Sequence, residues 1–325
     1  MIKTMNLHSP LASQIKKLIE RRQSCGMDYS TQAKLLTYFD RFLVQENVEK
    51  AHITRSIIER YQKTLSHLAP QYQTNRFGVV RQLCQYLALH DPGVFIPEPM
   101  KMDSSSVGRK PYIYSYLEIN HLMDAALELP PVGSLRPYTY RTLLGLLYST
   151  GIRISEACHL NLESFHTDKQ CLYIAQGKFR KARWVPLHDS TGQALEHYID
   201  RRLVKKPNAP DDPLFLHRRG RRLCYQTVYC TFRRLLEQCG ISGSNHANPR
   251  IHDLRHTYAV HRLLAWYQDG QDLNTRLAIL ATYMGHVDIR STQVYLQPTV
   301  ELLEHVSNRF HDHYLHTVDS KGGKS

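Results

Sequence analysis

Apolar residues in the first hundred positions recur with a helical period. Leu11, Ile15, Leu18 and Ile19 share one face, as do Leu35, Leu36, Phe39, Phe42 and Leu43. Ile53, Ile57, Ile58 and Tyr61 mark a third stripe, and Val79, Val80, Leu83 and Leu87 a fourth. Four amphipathic helices are therefore predicted, the first opened by Ser9-Pro10 and the second near Tyr29-Ser30. Their polar faces carry Lys16, Lys17, Arg21, Arg22, Arg76 and Arg81. From Asp91-Pro92-Gly93 to Ser104-Ser105-Ser106 the periodicity gives way to breakers and small polar residues, the texture of a linker. Helical patterns resume over 115–126 and 138–148 and around Ile154, Ala157 and Leu160. Residues 171–175 and 182–187 alternate as two strands joined by a tight basic loop at 176–181. The remainder is helical, ending in a stretch from Thr299 to about Tyr314 with Leu303, Val306 and Phe310 on one face. The pattern predicts a mainly α protein with a small β-sheet. Its domains are a helical one at 1–102, a linker at 103–112, and an α+β domain at 113–325.

Charge narrows the partners. The chain of 325 residues has 42 Lys+Arg against 29 Asp+Glu, a net charge of +13. The excess is split, +5 before residue 106 and +8 after it, so both domains are basic. A polyanion is the expected partner, and two basic domains on a joint suggest a clamp around a duplex. No stretch is long and apolar enough to span a bilayer, and the N-terminus lacks a signal-peptide core, so a cytoplasmic protein is expected. Seven cysteines, an odd number without a CxxC pair, argue against a disulfide framework or a structural zinc site.

Four segments have chemistry in them. In Ser149-Thr150-Gly151-Ile152-Arg153, a glycine allows a sharp turn that sets Arg153 at a helix start, where backbone N–H groups favour an anion. The alternative is a surface arginine paired with Glu156 at i, i+3. Lys178, in the basic loop with Arg180, Lys181 and Arg183, is either a solvated hairpin lysine or a group brought to a phosphate backbone, able to donate a proton. His252 and Arg255 leave one face of a helix, and such a pair suits an anion, because a guanidinium is costly to bury without a carboxylate. A plain exposed pair is the other reading. Finally Gly285-His286, nine positions before Tyr295 and followed by Ser291-Thr292, sets that tyrosine apart from the other nineteen.

In this order, the segments make the chain resemble the tyrosine recombinase, or phage integrase, family over nearly its whole length. The resemblance implies that 1–102 is a core-binding domain and 113–325 a catalytic domain whose helix at about 299–314 docks on a neighbouring protomer. It implies Arg153, Lys178, His252, Arg255 and His286 as catalytic residues and Tyr295 as nucleophile. Lys16, Lys17, Arg21, Arg22, Arg76, Arg81, Arg180, Lys181 and Arg183 are the expected DNA-binding residues. The implied reaction is site-specific cleavage and rejoining of DNA through a 3′-phosphotyrosyl intermediate, with no metal or other cofactor. The implied partners are double-stranded DNA with paired inverted core sites and further copies of the chain, from dimer to tetramer, in a bacterial cytoplasm. Two features depart from the family pattern. Arg255 and His286 are 31 positions apart, the excess falling at a polar loop around 266–274, and Lys181 competes with Lys178 as general acid. A DNA-binding regulator without chemistry, a type IB topoisomerase-like enzyme, and a metal nuclease built on His311, His313 and His316 are the rival classes. Those three histidines lack the i, i+4 spacing of a helical zinc site.

Overall fold

A computed structural model describes residues 6–100, 111–175, 182–205, 209–243 and 249–285, together with Thr292 and Tyr295. Lys178, Arg180, Lys181 and His286, the three histidines of the nuclease reading and the predicted helix at 299–314 lie outside the described residues. The chain divides into two compact units, Met1–Arg109 and Lys110–Ser325.

The first unit has four helices: α1 (Ala12–Ser24), α2 (Ser30–Gln45), α3 (Arg55–Thr64) and α4 (Pro70–Leu87). Each turns its apolar stripe inward, so Ile15, Leu36, Phe39, Leu43, Ile58 and Leu83 form a closed core. The buried carboxylate of Asp40 accepts the backbone N–H groups of His8 (2.9 Å) and Ser9 (3.0 Å), which fixes the chain entering α1. Helix α1 itself starts at Ala12, just after the expected Ser9-Pro10 position. Ile53 is buried but precedes α3, whose true cap is Thr54.

The second unit begins at α5 (Tyr116–Leu127), opened by a capping box between Ser115 and Glu118. Then come α6 (Arg136–Thr150), α7 (Ile154–His159) and a 3-10 turn at Leu162–Ser164. Strands β1 (Phe165–His166), β2 (Cys171–Ile174) and β3 (Arg183–Pro186) form an antiparallel sheet in that order, with Ile174 opposite Arg183. The two-residue β1 is too short to show a period in the sequence. Helices α8 (Asp189–Lys205), α9 (Tyr225–Gln238), α10 (Asp253–Gln268) and α11 (Leu273–Met284) complete the described elements. Helix α6 buries Tyr140, Leu143, Leu144, Leu146 and Leu147, more than one face, because α5, α8 and α10 all pack on it. Tyr112, assigned to the linker from sequence, packs on this unit's core.

The polar loop expected around 266–274 is mostly helix. Trp266 to Gln268 form the last turn of α10, Gly270 turns the chain with φ +69°, and the Asp272 side chain caps α11. Among the described residues, no helix is long and apolar enough to cross a membrane.

Candidate active site

The site forms where the turn after α6, the first turn of α10, strand β3 and the C-terminal end of α11 meet. Gly151 ends α6 in the left-handed conformation (φ +61°), and a Cβ there would stand 2.3 Å from the Tyr258 ring. Only glycine fits, and the resulting turn delivers Arg153 to the start of α7. Arg153 pairs with Glu156 (2.8 Å), whose carboxylate also accepts the backbone N–H of Arg153 (2.9 Å). The i, i+3 pair is thus real, but it is not a surface pair. Glu156 is buried, and it holds a second arginine, Arg183, at 3.0 and 2.8 Å through both oxygens.

A helix leaves its last carbonyls without intrahelical donors. At the end of α11 three consecutive carbonyls accept three different arginines. Tyr283 O accepts Arg183 Nε (3.1 Å), Met284 O accepts Arg255 (2.8 Å), and Gly285 O accepts Arg153 (3.1 Å). The negative end of the helix dipole favours cations here. Arg255 is 3% exposed, and a further bond runs to Gly151 O at 2.6 Å. From sequence, a guanidinium buried at this position is expected to need a carboxylate. The fold supplies carbonyls instead.

Electrostatics follow from this crowding. Burial raises the Glu156 carboxyl, but hydrogen bonds and charge from Arg183, then Arg153, outweigh it and hold the group at about 2. Burial, then the charge of Arg153, pulls Arg255 down to about 10, still cationic at neutral pH. Among these four side chains three cations face one carboxylate, an arrangement suited to an incoming anion.

Tyr295 lies in this environment, 3% exposed, its backbone N–H bonded to Thr292 O at 3.0 Å. Burial raises its pKa, opposed by the charge and hydrogen bond of Arg255 and the charge of Arg153. The phenol is therefore protonated at neutral pH and needs a proton acceptor. His252 sits at the N-cap of α10 and is partly exposed to solvent. Desolvation by surrounding protein and the charges of Arg255, Arg250 and Arg153 lower its pKa, so it is neutral and basic at pH 7. Between the two stands His256, whose ring meets His252 edge-on at 5.1 Å and Tyr295 at 5.3 Å. Burial, with the charge of His252, lowers His256 to about 4, and its buried Nδ1 has no hydrogen-bond partner. Asp253, one position after His252, is turned away and pairs with Arg250 at 2.9 Å.

The family model described as the phage integrase family matches residues 116–301, more than half of the chain and all of this site. The chain belongs to the phage integrase family. Its tyrosine recombinases are site-specific enzymes that break and rejoin DNA. This recombinase is 35% identical over 300 residues to y4rB of Sinorhizobium fredii, described as an integrase/recombinase, spanning 91% of this chain and 95% of that one. It is 29% identical over 283 residues to the tyrosine recombinase XerD of Staphylococcus aureus, spanning 82% and 88%. Its fold matches the crystal structure of the XerH site-specific recombinase bound to palindromic difH substrate in a post-cleavage complex. That match has a TM-score of 0.66 at 19% identity, over 92% of this chain and 84% of that one.

Of the residues predicted for catalysis, the structure brings together Arg153, His252, Arg255 and Tyr295 in this recombinase. Of those predicted to bind DNA, Lys16, Lys17 and Arg21 are exposed on α1, and Arg22 is half-exposed. Arg76 stacks on Tyr38 and Tyr72, 4.2 and 5.0 Å from the ring centres, and Arg81 donates to Pro97 O at 2.8 Å. Arg183 departs most from expectation, since its side chain turns inward, 13% exposed, onto Glu156 and α11. The nearby Tyr283 gives its hydroxyl to Pro186 O at 3.0 Å. Sequence reasoning missed His256, although its i, i+4 spacing from His252 puts both on one helical face. Among the described residues, no group of three or more His, Cys, Asp or Glu side chains gathers as a metal site would require.

Proposed function

We propose that this chain cleaves and rejoins double-stranded DNA at specific sites through a covalent link from the Tyr295 oxygen to a 3′ phosphate. The observation that supports it most is the convergence of Arg153, Arg255 and Tyr295 in one buried, cationic recess. In-line attack on a phosphodiester builds negative charge on the non-bridging oxygens. Arg153 and Arg255 present pre-oriented donors to that charge, and carbonyls already fix their planes. As the phenol attacks, its proton passes toward neutral His252. His286 adds a hydrogen bond to the phosphate, and Lys178 protonates the departing 5′ oxygen. The freed 5′ hydroxyl then attacks the phosphotyrosine of a partner strand, so one phosphate ester replaces another and no ATP is consumed.

Recombination needs two DNA sites. We infer a dimer on paired inverted sites and a tetramer at exchange, in line with the palindromic substrate of XerH. The segment at 299–314, expected from sequence to be helical, would join the protomers. Residues 1–102 and 113–325 serve as core-binding and catalytic domains. We infer a bacterial cytoplasm as the setting, since the relatives come from bacteria.

The test uses a nicked suicide duplex selected from a random pool for tight binding to the wild-type chain. Wild type is expected to give a denaturation-resistant protein–DNA band in EDTA. Tyr295→Phe should bind the same duplex within about twofold and give no such band, because only the nucleophilic oxygen is removed. A band surviving in the variant, or one that requires magnesium, would refute this reading.

A further inference from the structure

Arg183 is expected from sequence to bind DNA and has no catalytic role assigned above, but its surroundings are those of an interior group. Its guanidinium holds both oxygens of Glu156, at 3.0 and 2.8 Å, with Nε on the carbonyl of Tyr283 at 3.1 Å. Glu156 in turn holds Arg153 through Oε1, the same oxygen that receives one arm of Arg183. A carboxylate gripped on both oxygens has its plane fixed, and so has the arginine that shares it. The α11 end is equally confined. Gly285 takes φ +69°, and a Cβ there would stand 2.9 Å from the guanidinium carbon of Arg183. His286 is the next residue in the chain.

We propose that Arg183 is a positioning residue for DNA cleavage, acting through Glu156 on Arg153 and through Tyr283 on the turn that leads into His286. It does not contact DNA. The inference rests on the cleavage reading above. Without Arg183, Glu156 keeps only the side chain and backbone N–H of Arg153 and loses the two bonds that brace it from the other side, so it holds the Arg153 guanidinium less firmly. The Tyr283 carbonyl is left without its donor, which loosens the end of α11. A displacement of about 1 Å at a group that contacts the reacting phosphate slows chemistry on the order of 100-fold. Lysine cannot replace the fork, because one ammonium reaches one carboxylate oxygen and leaves the carbonyl unpaired.

The experiment compares wild type, Arg183→Lys, Arg183→Met and Glu156→Gln in the full chain on the selected duplex. It reads the dissociation constant and its salt slope, the single-turnover rate of covalent-complex formation at saturating protein, and thermal melting. Expected for both Arg183 variants is binding within about twofold and an unchanged salt slope, with cleavage slowed on the order of 100-fold at saturation. Arg183→Lys, the milder change, carries the test if Arg183→Met melts below the assay temperature. Combining Arg183→Lys with Glu156→Gln should slow cleavage by less than the product of the two single effects, since the changes share the Glu156 route and only the Tyr283 route belongs to Arg183 alone. Weaker binding with a salt slope reduced by about 0.9 and normal cleavage at saturation would place Arg183 on a phosphate and overturn the proposal. So would variants that cleave like wild type, or an additive double variant. Absence of any covalent complex with wild type would overturn the cleavage reading itself, and this inference with it.

Discussion

In the first unit Lys16, Lys17 and Arg21 stand exposed along α1, and the Arg76 guanidinium sits over two tyrosine rings. In the second, Arg153, Arg183 and Arg255 lie behind the surface and bond to carbonyls and to one carboxylate. Both sets raise the net charge alike, but physically they differ. Exposed lysines keep their hydration and rotamer freedom, so they act on a polyanion at long range and are screened by salt. Buried guanidinia with fixed planes act on one anion at one place, and solvent has little part in it. Charge on the first unit fits holding DNA, and charge in the second fits acting on a single phosphate.

The sharpest way to break this comparison is to keep the charge and change its geometry. Arg255→Lys retains a cation but cannot span Gly151 O, Met284 O and the Tyr295 oxygen together. Single-turnover cleavage should fall by about 100- to 1000-fold, with binding within about twofold. Cleavage within tenfold of wild type would mean that charge alone suffices.

A smaller effect concerns acid. The Glu156 carboxyl ionises at about 2 in the fold against an ordinary 4.5, so the folded state binds its proton less readily than the unfolded chain. Its stabilisation is full above pH 4.5 and is lost as pH falls from there toward 2. It amounts to about 3 kcal/mol for this buried group. Denaturant melts between pH 6 and 3 should show wild type losing stability that Glu156→Gln does not lose. Parallel curves would detach Glu156 from the acid response.

The smallest change is expected on the exposed side. Replacing Lys16 and Lys17 by alanine should lower the salt slope of DNA binding by about 0.9 for each phosphate no longer neutralised. Any cleavage deficit should shrink as protein concentration rises. An unchanged slope would mean that α1 faces away from DNA.

How far these roles can be read from sequence differs between the same regions. Helix positions are legible because stripes such as Leu36, Phe39 and Leu43 match a buried face. Four catalytic candidates are legible by type and spacing, and the fold does bring them together. Arg183 is not, since a basic residue beside Lys178 and Lys181 looks like part of an exposed hairpin. Its inward turn depends on the register that sets it opposite Ile174 and on α11 packing behind. Glu156 is visible only as a local partner of Arg153, because its second arginine is 27 residues away. The polar run at 266–274 looks like a loop because its polar residues lie on exposed helix ends and in a turn around one glycine.

In the proposed reaction Tyr295, held against Arg255, is the point of attack on the phosphate. This role is tested most directly by trapping the wild-type chain on the nicked duplex, digesting protein and DNA, and sequencing the nucleotide-bearing peptide by mass spectrometry. One modified residue is expected, Tyr295, carrying a nucleotide through its 3′ phosphate. A nucleotide on any other residue, Tyr283 included, or attached through a 5′ phosphate, would contradict it.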